Sequence, residues 1–499
     1  MVDLQDASGN LLQSPSNDPL PSPPVRSNTS YAPLPSFDLD KKRSYKQQYG
    51  DMYFLRLTKL RPFVDEAAAE AWRGTVIGGE LARRVDRVLD VRQGELCWVS
   101  GTAYMDMPLK PNILDDVSKD RWISAPVSTQ RYYTDEETDQ IMLEDDSGRV
   151  RLVGEVARSV PLVTGCIVAV MGTENSSGEF EVLDIKFPDL APQPSRWTVT
   201  KEEEGGDSSP PRPSKLIALV SGLGFSSVDA SHSLELSLLR EFLLGESLSS
   251  SAQVQASRIS RLVIAGDSIS DKTTTETEQA DNNNNNNKKS SSAKKYGYDA
   301  SAYNPLPSQL LDDFLAEILP SIPVTLMPGA RDPANASYPQ QPMHLALFPR
   351  ARSFGPDPSS PSSHGWLDNV TNPFEAEVAG WRLLATSGQN VDDVFKYTES
   401  NDRLGMMEAM CRWRCCAPTA PDTLWSYPFQ EEDPFVMKAC PHIYLAGCQP
   451  DFSTKLVHGP QGQTVRLVTL PSFAETRELA LLDTETLEVT RVKIEVHLS

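Results

Sequence analysis

The stretch IPVTLMPGARDPAN, residues 322–335, joins a mostly apolar run to a Pro-Gly turn and a polar tail. The first six residues have the pattern of a strand buried on both faces, and the turn at 328–329 ends it. Ala330, Arg331 and Asp332 follow directly after the turn. The stretch therefore predicts a buried strand whose following loop presents polar groups at the edge of a sheet.

Two further buried-strand patterns precede this one, LIALVSG at 216–222 and RLVIAG at 261–266, and an amphipathic helical pattern follows each of them. An alternation of strands and helices requires crossover connections, so these segments predict a parallel α/β sheet. Beyond residue 440, HIYLAG and TVRLVTLPSF add strands, and LALLD with LEVTRVKIEV predicts a hairpin around 484–485. This half of the chain is expected to be a two-layered α/β sandwich.

The preceding half has a different periodicity. Between residues 94 and 190, short alternating segments are separated by turns such as 146–148 and 177–178, a pattern typical of a small Greek-key barrel such as an OB-fold. With 499 residues the chain exceeds the size of one core. The expected organisation is a disordered Pro-rich tail at 1–40, a docking helix at 41–62 ending on Pro62, an OB-fold domain at 63–190, a linker at 191–215, and an α/β domain at 216–499 with a disordered insertion at 270–302.

The composition of the chain indicates which classes of partner it can bind. The net charge is −21, from 68 acidic and 47 basic residues, which opposes binding of a phosphate backbone over a broad surface. The aromatic residues of the predicted barrel strands are Trp98, Tyr104 and Phe180, so protein docking is favoured over base stacking. The seven cysteines lack CxxC spacing, and no secretory signal or membrane-length apolar run is visible. An intracellular soluble protein is expected.

Ligands of α/β sheets gather at the carboxyl ends of the strands. Four such loops can be located, at 221–223, 266–268, 329–332 and 447–450. Their order and spacing resemble the calcineurin-like metallophosphoesterases, whose loops read D-x-H, G-D, G-N-H-D and G-H-x-H. In that superfamily these residues hold two metals, which activate water and neutralise a phosphoryl transition state.

The resemblance implies seven ligand positions, and they are occupied in this chain by Ser221, Leu223, Asp267, Ala330, Arg331, Cys448 and Pro450. Asp267 alone is retained as a plausible bridging ligand, and the neighbouring Asp332 is expected to cap backbone N–H groups. One ligand cannot hold two metals, and Arg331 would add a cation beside them. Neither a metal, nor a cofactor, nor a catalytic residue is therefore expected.

Other candidate ligands lack a usable pattern. His344, His364, His442, His458 and His497 show no ligand spacing. The cysteines at 411, 415 and 416 lie on a helical pattern without a second pair, so buried packing is the expectation. The sequence also contains neither a phosphate-binding GxxxxGK[ST] loop nor a Gly-x-Ser-x-Gly elbow.

A barrel followed by a phosphoesterase-like domain without its ligands resembles the B-subunits of replicative DNA polymerases. Similar stretches run from about residue 43 to the C-terminus, outside the insertion: LVSGLGF at 219–225, VIAGDSIS at 263–270, TLMPGARDPAN at 325–335, LFPRA at 347–351, TNPFE at 371–375, TSGQNVDDVFKY at 386–397, APTAPDTLWSYPF at 417–429, DPF at 433–435 and HIYLAGCQPDFSTKLV at 442–457. The segments at 45–63 and 387–394 look most like the delta branch, with alpha and epsilon as alternatives. The Asn-rich insertion, Arg331 and the pair 415–416 depart from the family pattern.

The resemblance implies a non-catalytic scaffold in the nucleus. Its implied partners are the C-terminal metal-binding module of the polymerase catalytic subunit, a further accessory subunit and a translesion polymerase catalytic subunit, with DNA reached only through the complex. Two other functions stay open as remote alternatives, an active metal-dependent phosphodiesterase and an autonomous single-strand-binding protein. The first would need ligands beyond Asp267, and the second would need a salt-sensitive affinity in the 43–190 region.

Overall fold

The structure is a computed structural model that describes residues 24–40, 43–44, 48–111, 131–134, 138–196, 214–246, 250–270, 304–357 and 365–496. The strands in these ranges are β1 Tyr31–Leu34, β2 Val76–Ile77, β3 Glu80–Leu81, β4 Arg83–Arg84, β5 Cys97–Asp106, β6 Gln140–Glu144, β7 Arg149–Val153, β8 Ile167–Glu174, β9 Glu179–Lys186, β10 Leu216–Val220, β11 Ile259–Ala265, β12 Val324–Met327, β13 Leu367–Asn369, β14 Phe374–Val378, β15 Trp381–Thr386, β16 Ile443–Gln449, β17 Ser453–His458, β18 Thr464–Pro471, β19 Glu478–Asp483 and β20 Val489–Lys493. The α-helices are α1 Gly50–Ala71, α2 Glu155–Ser159, α3 Ser233–Leu244, α4 Ser250–Ser257, α5 Leu306–Ile318, α6 Gln389–Tyr397, α7 Arg403–Arg412 and α8 Phe473–Thr476. Single 3₁₀ turns occur at Val88–Asp90, Leu345–Leu347 and Ala351–Phe354.

The first folded region is a closed barrel. Its strands run in the order β4-β5-β6-β7-β9-β8, and β5 also pairs with β8. The long strand β5 makes this closure possible, because its first half pairs with β8 and its second half with β6. Alternate residues of β9 face the interior, as expected for a barrel wall. The predicted small barrel is therefore present.

Helix α1 closes one side of the barrel. Its buried face repeats every fourth residue, through Met52, Arg56, Leu60, Val64 and Ala68, as one stripe of an α-helix should. Part of this stripe packs with barrel residues in one hydrophobic cluster.

The predicted end of this helix is wrong, as is its predicted start near residue 41. The described helix begins at Gly50 and continues through Pro62 to Ala71. Proline removes one backbone hydrogen bond from a helix interior. Pro62 lies on the exposed face, and burial of Val64 and Ala68 beyond it offsets that loss.

The second folded region contains two six-stranded sheets. The first sheet has the order β13-β12-β11-β10-β19-β20, and its first four strands are parallel. The parallel pairs β10–β11 and β11–β12 confirm the predicted crossovers, and β19 with β20 forms the predicted hairpin. The second sheet has the order β1-β14-β15-β16-β18-β17.

The two sheets pack face to face. A hydrophobic cluster between them includes Leu219 and Val263 from the first sheet and Leu383 and Leu445 from the second. Helices α3 and α5 cover the outer face of the first sheet. Helices α6 and α7 cover the outer face of the second sheet, and the same cluster includes barrel residues. The barrel and the second sheet therefore share one hydrophobic cluster.

The prediction of a disordered tail over 1–40 is wrong for residues 24–40, whereas residues 1–23 lie outside the described part. Strand β1 pairs antiparallel with β14. Arg26 donates hydrogen bonds to the carbonyls of Leu243, Ala256 and Ile259, and the Arg261 guanidinium lies 3.5 Å from the centroid of the Tyr31 ring. A few specific side chains thus hold a segment whose composition alone suggests disorder.

The predicted linker over 191–215 is also partly ordered. Ala191 is buried, the Cys440 N–H donates to the Pro192 carbonyl at 3.0 Å, and Gln193 Nε2 donates to the Thr464 carbonyl at 2.7 Å. Residues 197–213 lie outside the described part. The predicted insertion at 270–302 also lies outside the described part, except for its first residue. The N–H of that residue, Ser270, donates to the Phe225 carbonyl.

Candidate functional site

The carboxyl ends of the central strands bring several predicted site residues together. Gly222 N donates to the Gly266 carbonyl at 2.9 Å, which joins the loops after β10 and β11. Cys448 N donates to Ser221 Oγ at 2.9 Å, which joins the loops after β16 and β10. Ser221 Oγ in turn donates to the Pro471 carbonyl at 3.0 Å. Backbone groups and the Ser221 hydroxyl therefore tie these segments to one another.

Asp267 is held by the loop that follows β12. Its Oδ1 accepts the N–H of Arg331 at 2.9 Å, and the Arg331 Nε lies 3.8 Å from Oδ2. Burial raises the pKa of Asp267 above its ordinary value. The Arg331 side chain is 58% exposed, so this ion pair contributes about 1 kcal/mol or less.

The buried Asp332 side chain also joins the loops that follow β11 and β12. Its carboxylate accepts the N–H groups of Gly329 at 2.8 Å, Ser268 at 3.2 Å and Ile269 at 2.8 Å. Burial and the neighbouring Asp267 raise the pKa of Asp332 to about 7. These contacts agree with the capping role predicted for this residue.

The remaining predicted positions do not converge on one point. Leu223 is fully buried in the cluster beneath α3 and α5, so its side chain belongs to the core. Ala330 and Pro450 are exposed. The Cys448 thiol is partly buried, and burial raises its pKa well above the ordinary value.

Glycines allow the loops to approach at backbone distance. A Cβ built on Gly266 would collide with the Cβ of Ser387, and one on Gly447 would collide with the carbonyl of Ala265. Gly266 also has a φ of +85°, which side chains rarely adopt. The edge of the sheets is consequently packed by loops.

A buried amide network beside this edge was missed by the sequence analysis. Asn372 Nδ2 lies 2.8 Å from Gln340 Oε1, 2.6 Å from Ser387 Oγ and 2.6 Å from Gln389 Oε1. Asn372 Oδ1 accepts from the Tyr338 hydroxyl at 3.0 Å. TNPFE and TSGQNVDDVFKY contain members of this network, but neither stretch has the spacing of a known site, so no sequence signal marks it.

The histidine and cysteine side chains considered as candidate ligands make local hydrogen bonds or are buried. His232 Nε2 lies 2.9 Å from the Leu223 carbonyl, and His344 Nδ1 accepts the N–H of Ala346. Cys415 is buried, and burial raises its pKa to about 11. Across the described ranges, no group of three or more His, Cys, Asp or Glu residues could hold a metal ion.

The barrel aromatics are mostly unavailable to a ligand. Phe180 and Trp98 are 0% and 6% exposed. Tyr104 lies between two cations, with its ring centroid 4.3 Å from Lys110 Nζ and 4.6 Å from the Arg149 guanidinium. Stacking of bases on successive exposed rings therefore has no platform among these three residues.

Comparison with known proteins agrees with this architecture. Residues 48–185 match the family described as DNA polymerase delta subunit OB-fold domain, and residues 217–454 match the B-subunit family of DNA polymerase alpha/epsilon. The chain is 37% identical over 488 residues to the DNA polymerase delta small subunit of Saccharomyces cerevisiae, covering 91% of each protein. The chain belongs to the DNA polymerase delta small-subunit family.

Relatives in this small-subunit family extend beyond yeast. The DNA polymerase delta small subunit of Arabidopsis thaliana is 34% identical, with 88% of this chain and 89% of the relative aligned. DNA polymerase delta subunit 2 of Drosophila melanogaster is 31% identical, with 94% and 99% aligned. The barrel is thus the family's OB-fold domain, and the mixed β and α/β fold class is confirmed. Among the described helices, none is long and apolar enough to cross a membrane.

Proposed function

We propose that this chain is the non-catalytic accessory subunit of DNA polymerase delta. In this role it bridges the C-terminal metal-binding module of the catalytic subunit and a further accessory subunit during replication and repair synthesis. The similarity to delta small subunits over nine-tenths of both chains supports this role. The same similarity, together with the delta OB-fold match, favours delta over the alpha and epsilon alternatives.

The second domain is a calcineurin-like phosphoesterase fold without its catalytic centre. Two face-to-face sheets with helices on their outer faces support this proposal, as do loops gathered at the carboxyl ends of the strands. The described residues of this domain lie within 214–496, and residues 24–40 add an edge segment to it. The described residues of the OB-fold domain are α1 and the barrel up to residue 196.

One observation supports the loss of catalysis more than any other. The carboxylate of Asp267, the residue in the bridging-ligand position, accepts the backbone N–H of Arg331. Ser221 and Cys448 are hydrogen-bonded to each other, and Leu223 belongs to the core. Hard dications prefer several carboxylate or imidazole ligands, and these residues supply one carboxylate.

The partners of this subunit are proteins, and DNA is reached through the complex in the nucleus. The net charge of −21 and the burial of Trp98 and Phe180 support this division. A translesion polymerase catalytic subunit is a further proposed partner.

The test is reconstitution with the delta catalytic subunit from the same source. Co-expression should yield a stable complex through the catalytic subunit's C-terminal module, and deletion of that module should abolish it. Assembly with the alpha or epsilon catalytic subunit in place of delta would overturn the delta assignment. Manganese-dependent phosphodiester cleavage that disappears in Asp267→Ala would overturn the loss of catalysis.

A further inference from the structure

A cleft lies between the edge segment that contains β1 and a loop of the second domain. Its volume is about 620 Å³, and it is lined by residues 35–40 on one side and by residues within 427–438 on the other. Cavities of this size hold ligands or several side chains of a partner. Because one cavity joins the two sides, their side chains face the same space, which is called the acidic cleft below.

Hydrogen bonds hold both walls of the acidic cleft. Leu39 N donates to Gln341 Oε1 at 3.1 Å, and Gln341 Nε2 donates to the Phe37 carbonyl at 3.1 Å. In the opposite wall, the N–H of Tyr427 donates to the Tyr338 carbonyl at 2.8 Å. The cleft is therefore built into the fold.

Two partly exposed aromatic rings line the loop wall. The ring centroids of Tyr427 and Phe429 lie 5.1 Å apart in an edge-to-face arrangement. Phe429 also packs edge-to-face on the fully buried Phe435, with their centroids 5.9 Å apart. Rings held in this way offer their faces to ammonium or guanidinium groups.

The carboxylates of the acidic cleft outnumber its cations. The lining carboxylates are Asp38, Asp40, Glu375, Glu431 and Glu432, and the lining cations are Arg382 and Lys438. Arg382 pairs with Glu375, and Lys438 pairs with Glu432. The other three carboxylates form no ion pair within the described ranges. Burial raises the pKa of Asp38, as expected for a carboxylate whose desolvation no cation offsets.

We propose that the acidic cleft binds a basic segment of another subunit of the polymerase complex. Cationic side chains of that segment pair with Asp38, Asp40 and Glu431 and contact the rings of Tyr427 and Phe429. This inference rests on the proposed function for the identity of the complex, and it adds the surface and the chemistry of its occupant.

Other occupants fit the acidic cleft less well. A nucleic-acid strand would bring phosphates against carboxylates. A second copy docked by two-fold symmetry would place the cleft against itself, so like charges would meet. A metal ion is disfavoured because the described residues contain no group of three or more candidate ligands. A protein segment of opposite charge satisfies both the carboxylates and the rings.

Neutral substitutions test the carboxylates in the full complex. Replacing Asp38→Asn together with Glu431→Gln should raise the dissociation constant about tenfold, because each substitution removes a charge while keeping the shape of the side chain. The matched control is Asp90→Asn with Glu70→Gln, at exposed positions outside the cleft, which should assemble like the wild type. Unchanged circular dichroism of both variants establishes that the chain still folds.

Two further readouts test the chemistry and the place of the contact. Salt screens exposed charges, so the affinity of the wild type should fall more steeply with added salt than that of the Asp38 and Glu431 variant. Amides of residues 427–438 should exchange hydrogen more slowly in the complex than in the free chain. This slowing should be smaller in the variant.

The outcomes separate this inference from the proposed function. An Asp38 and Glu431 variant that assembles with wild-type affinity overturns the acidic cleft as a binding surface and leaves the proposed function standing. Equal exchange of residues 427–438 in the free chain and in the complex also overturns it. Slower exchange caused by primer-template DNA without another subunit overturns it in favour of a nucleic-acid contact. A chain that joins no polymerase subunit overturns both proposals.

Discussion

At the scale of single residues, two neighbouring carboxylates join the loops at the carboxyl ends of β11 and β12. Asp267 accepts a backbone N–H from the loop after β12, and Asp332 accepts three. Backbone donors stabilise an ionised carboxylate, whereas burial and a like charge oppose ionisation. For both residues the opposing effects prevail, because the pKa of each is raised.

The raised pKa of Asp332 gives the stability of these loops a pH dependence of defined sign. Its folded-state pKa of about 7 exceeds the ordinary value of 3.8. The folded chain therefore keeps a proton that the unfolded chain releases, so this group's stabilisation is present in acid and is lost as the pH rises through about 7. We expect Asp332→Asn to lose less free energy of unfolding than the wild type between about pH 5 and pH 8.

Urea unfolding at the two pH values measures this difference. Asp90→Asn, at an exposed position of the barrel domain, controls for the loss of one negative charge. Parallel pH profiles of Asp332→Asn and the wild type would show that Asp332 does not titrate in this range.

At the scale of elements, helix α1 is anchored to the second domain by a buried ion pair. Arg56 Nε lies 2.8 Å from Asp433 Oδ2, with side chains 1% and 0% exposed. The same guanidinium donates to the carbonyls of Pro418 at 2.5 Å and Ala420 at 2.9 Å. Removing the guanidinium leaves the buried Asp433 carboxylate without its cation and takes a donor from two buried carbonyls, so Arg56→Gln should lower the free energy of unfolding by about 3–5 kcal/mol.

Lys59, one turn away on the same helix, provides the control. Its ion pair with Glu432 is partly exposed on both sides, so Lys59→Gln should cost about 1 kcal/mol or less. Chemical denaturation of both variants makes the comparison. Equal losses would contradict the anchoring role of Arg56.

Strand β1 is a second element that specific side chains attach, and Tyr31 is one of them. Tyr31 lies against the Arg261 guanidinium and donates a hydrogen bond to the Asp368 carboxylate. We expect Tyr31→Ala to destabilise the protein by about 1–3 kcal/mol and to expose residues 24–40 to protease. Val25→Ala, at a 91% exposed site in the same segment, should change neither. Intact protease resistance in Tyr31→Ala would contradict this attachment.

Individual strands and helices show which parts of the fold can be predicted from the sequence. Periodicity is sufficient to predict β10, β11, β12, α3 and α5, because aliphatic side chains make up most of the surface that each of them buries. It is insufficient for β1, whose four residues YAPL include a proline and become a strand only through pairing with β14. Pro62 is misleading for a similar reason, since tertiary packing outweighs one missing hydrogen bond.

In the candidate site, too, some features can be predicted from the sequence and others cannot. Ser221, Asp267 and Arg331 follow strands of the first sheet, and Cys448 lies near the end of β16 in the second. Their positions at the carboxyl ends of these strands follow from the order of the strands. The core position of Leu223 does not follow, because a loop residue's side chain can turn either way. The amide network around Asn372 depends on contacts between residues 15 to 34 positions apart, which no local pattern encodes.

At the scale of the whole molecule, one hydrophobic cluster contains residues of both the barrel and the second sheet. This shared cluster packs the two domains against each other, which suits the proposed role of a subunit that presents surfaces to other proteins. Interfaces of permanent complexes bury roughly 2,000 Å² or more. A chain of this kind should therefore be more stable within its complex than alone, by linkage to binding.

The most direct measurement of the central claim is the mass of the species formed when this chain is co-expressed with the delta catalytic subunit, combined with assays of bound metal and phosphodiesterase activity on the purified small subunit. We predict one copy of each subunit in a stable complex, together with phosphodiesterase activity at background in manganese. A small subunit that stays apart from the catalytic subunit, binds metal in stoichiometric amount and cleaves phosphodiesters through Asp267 would contradict the account.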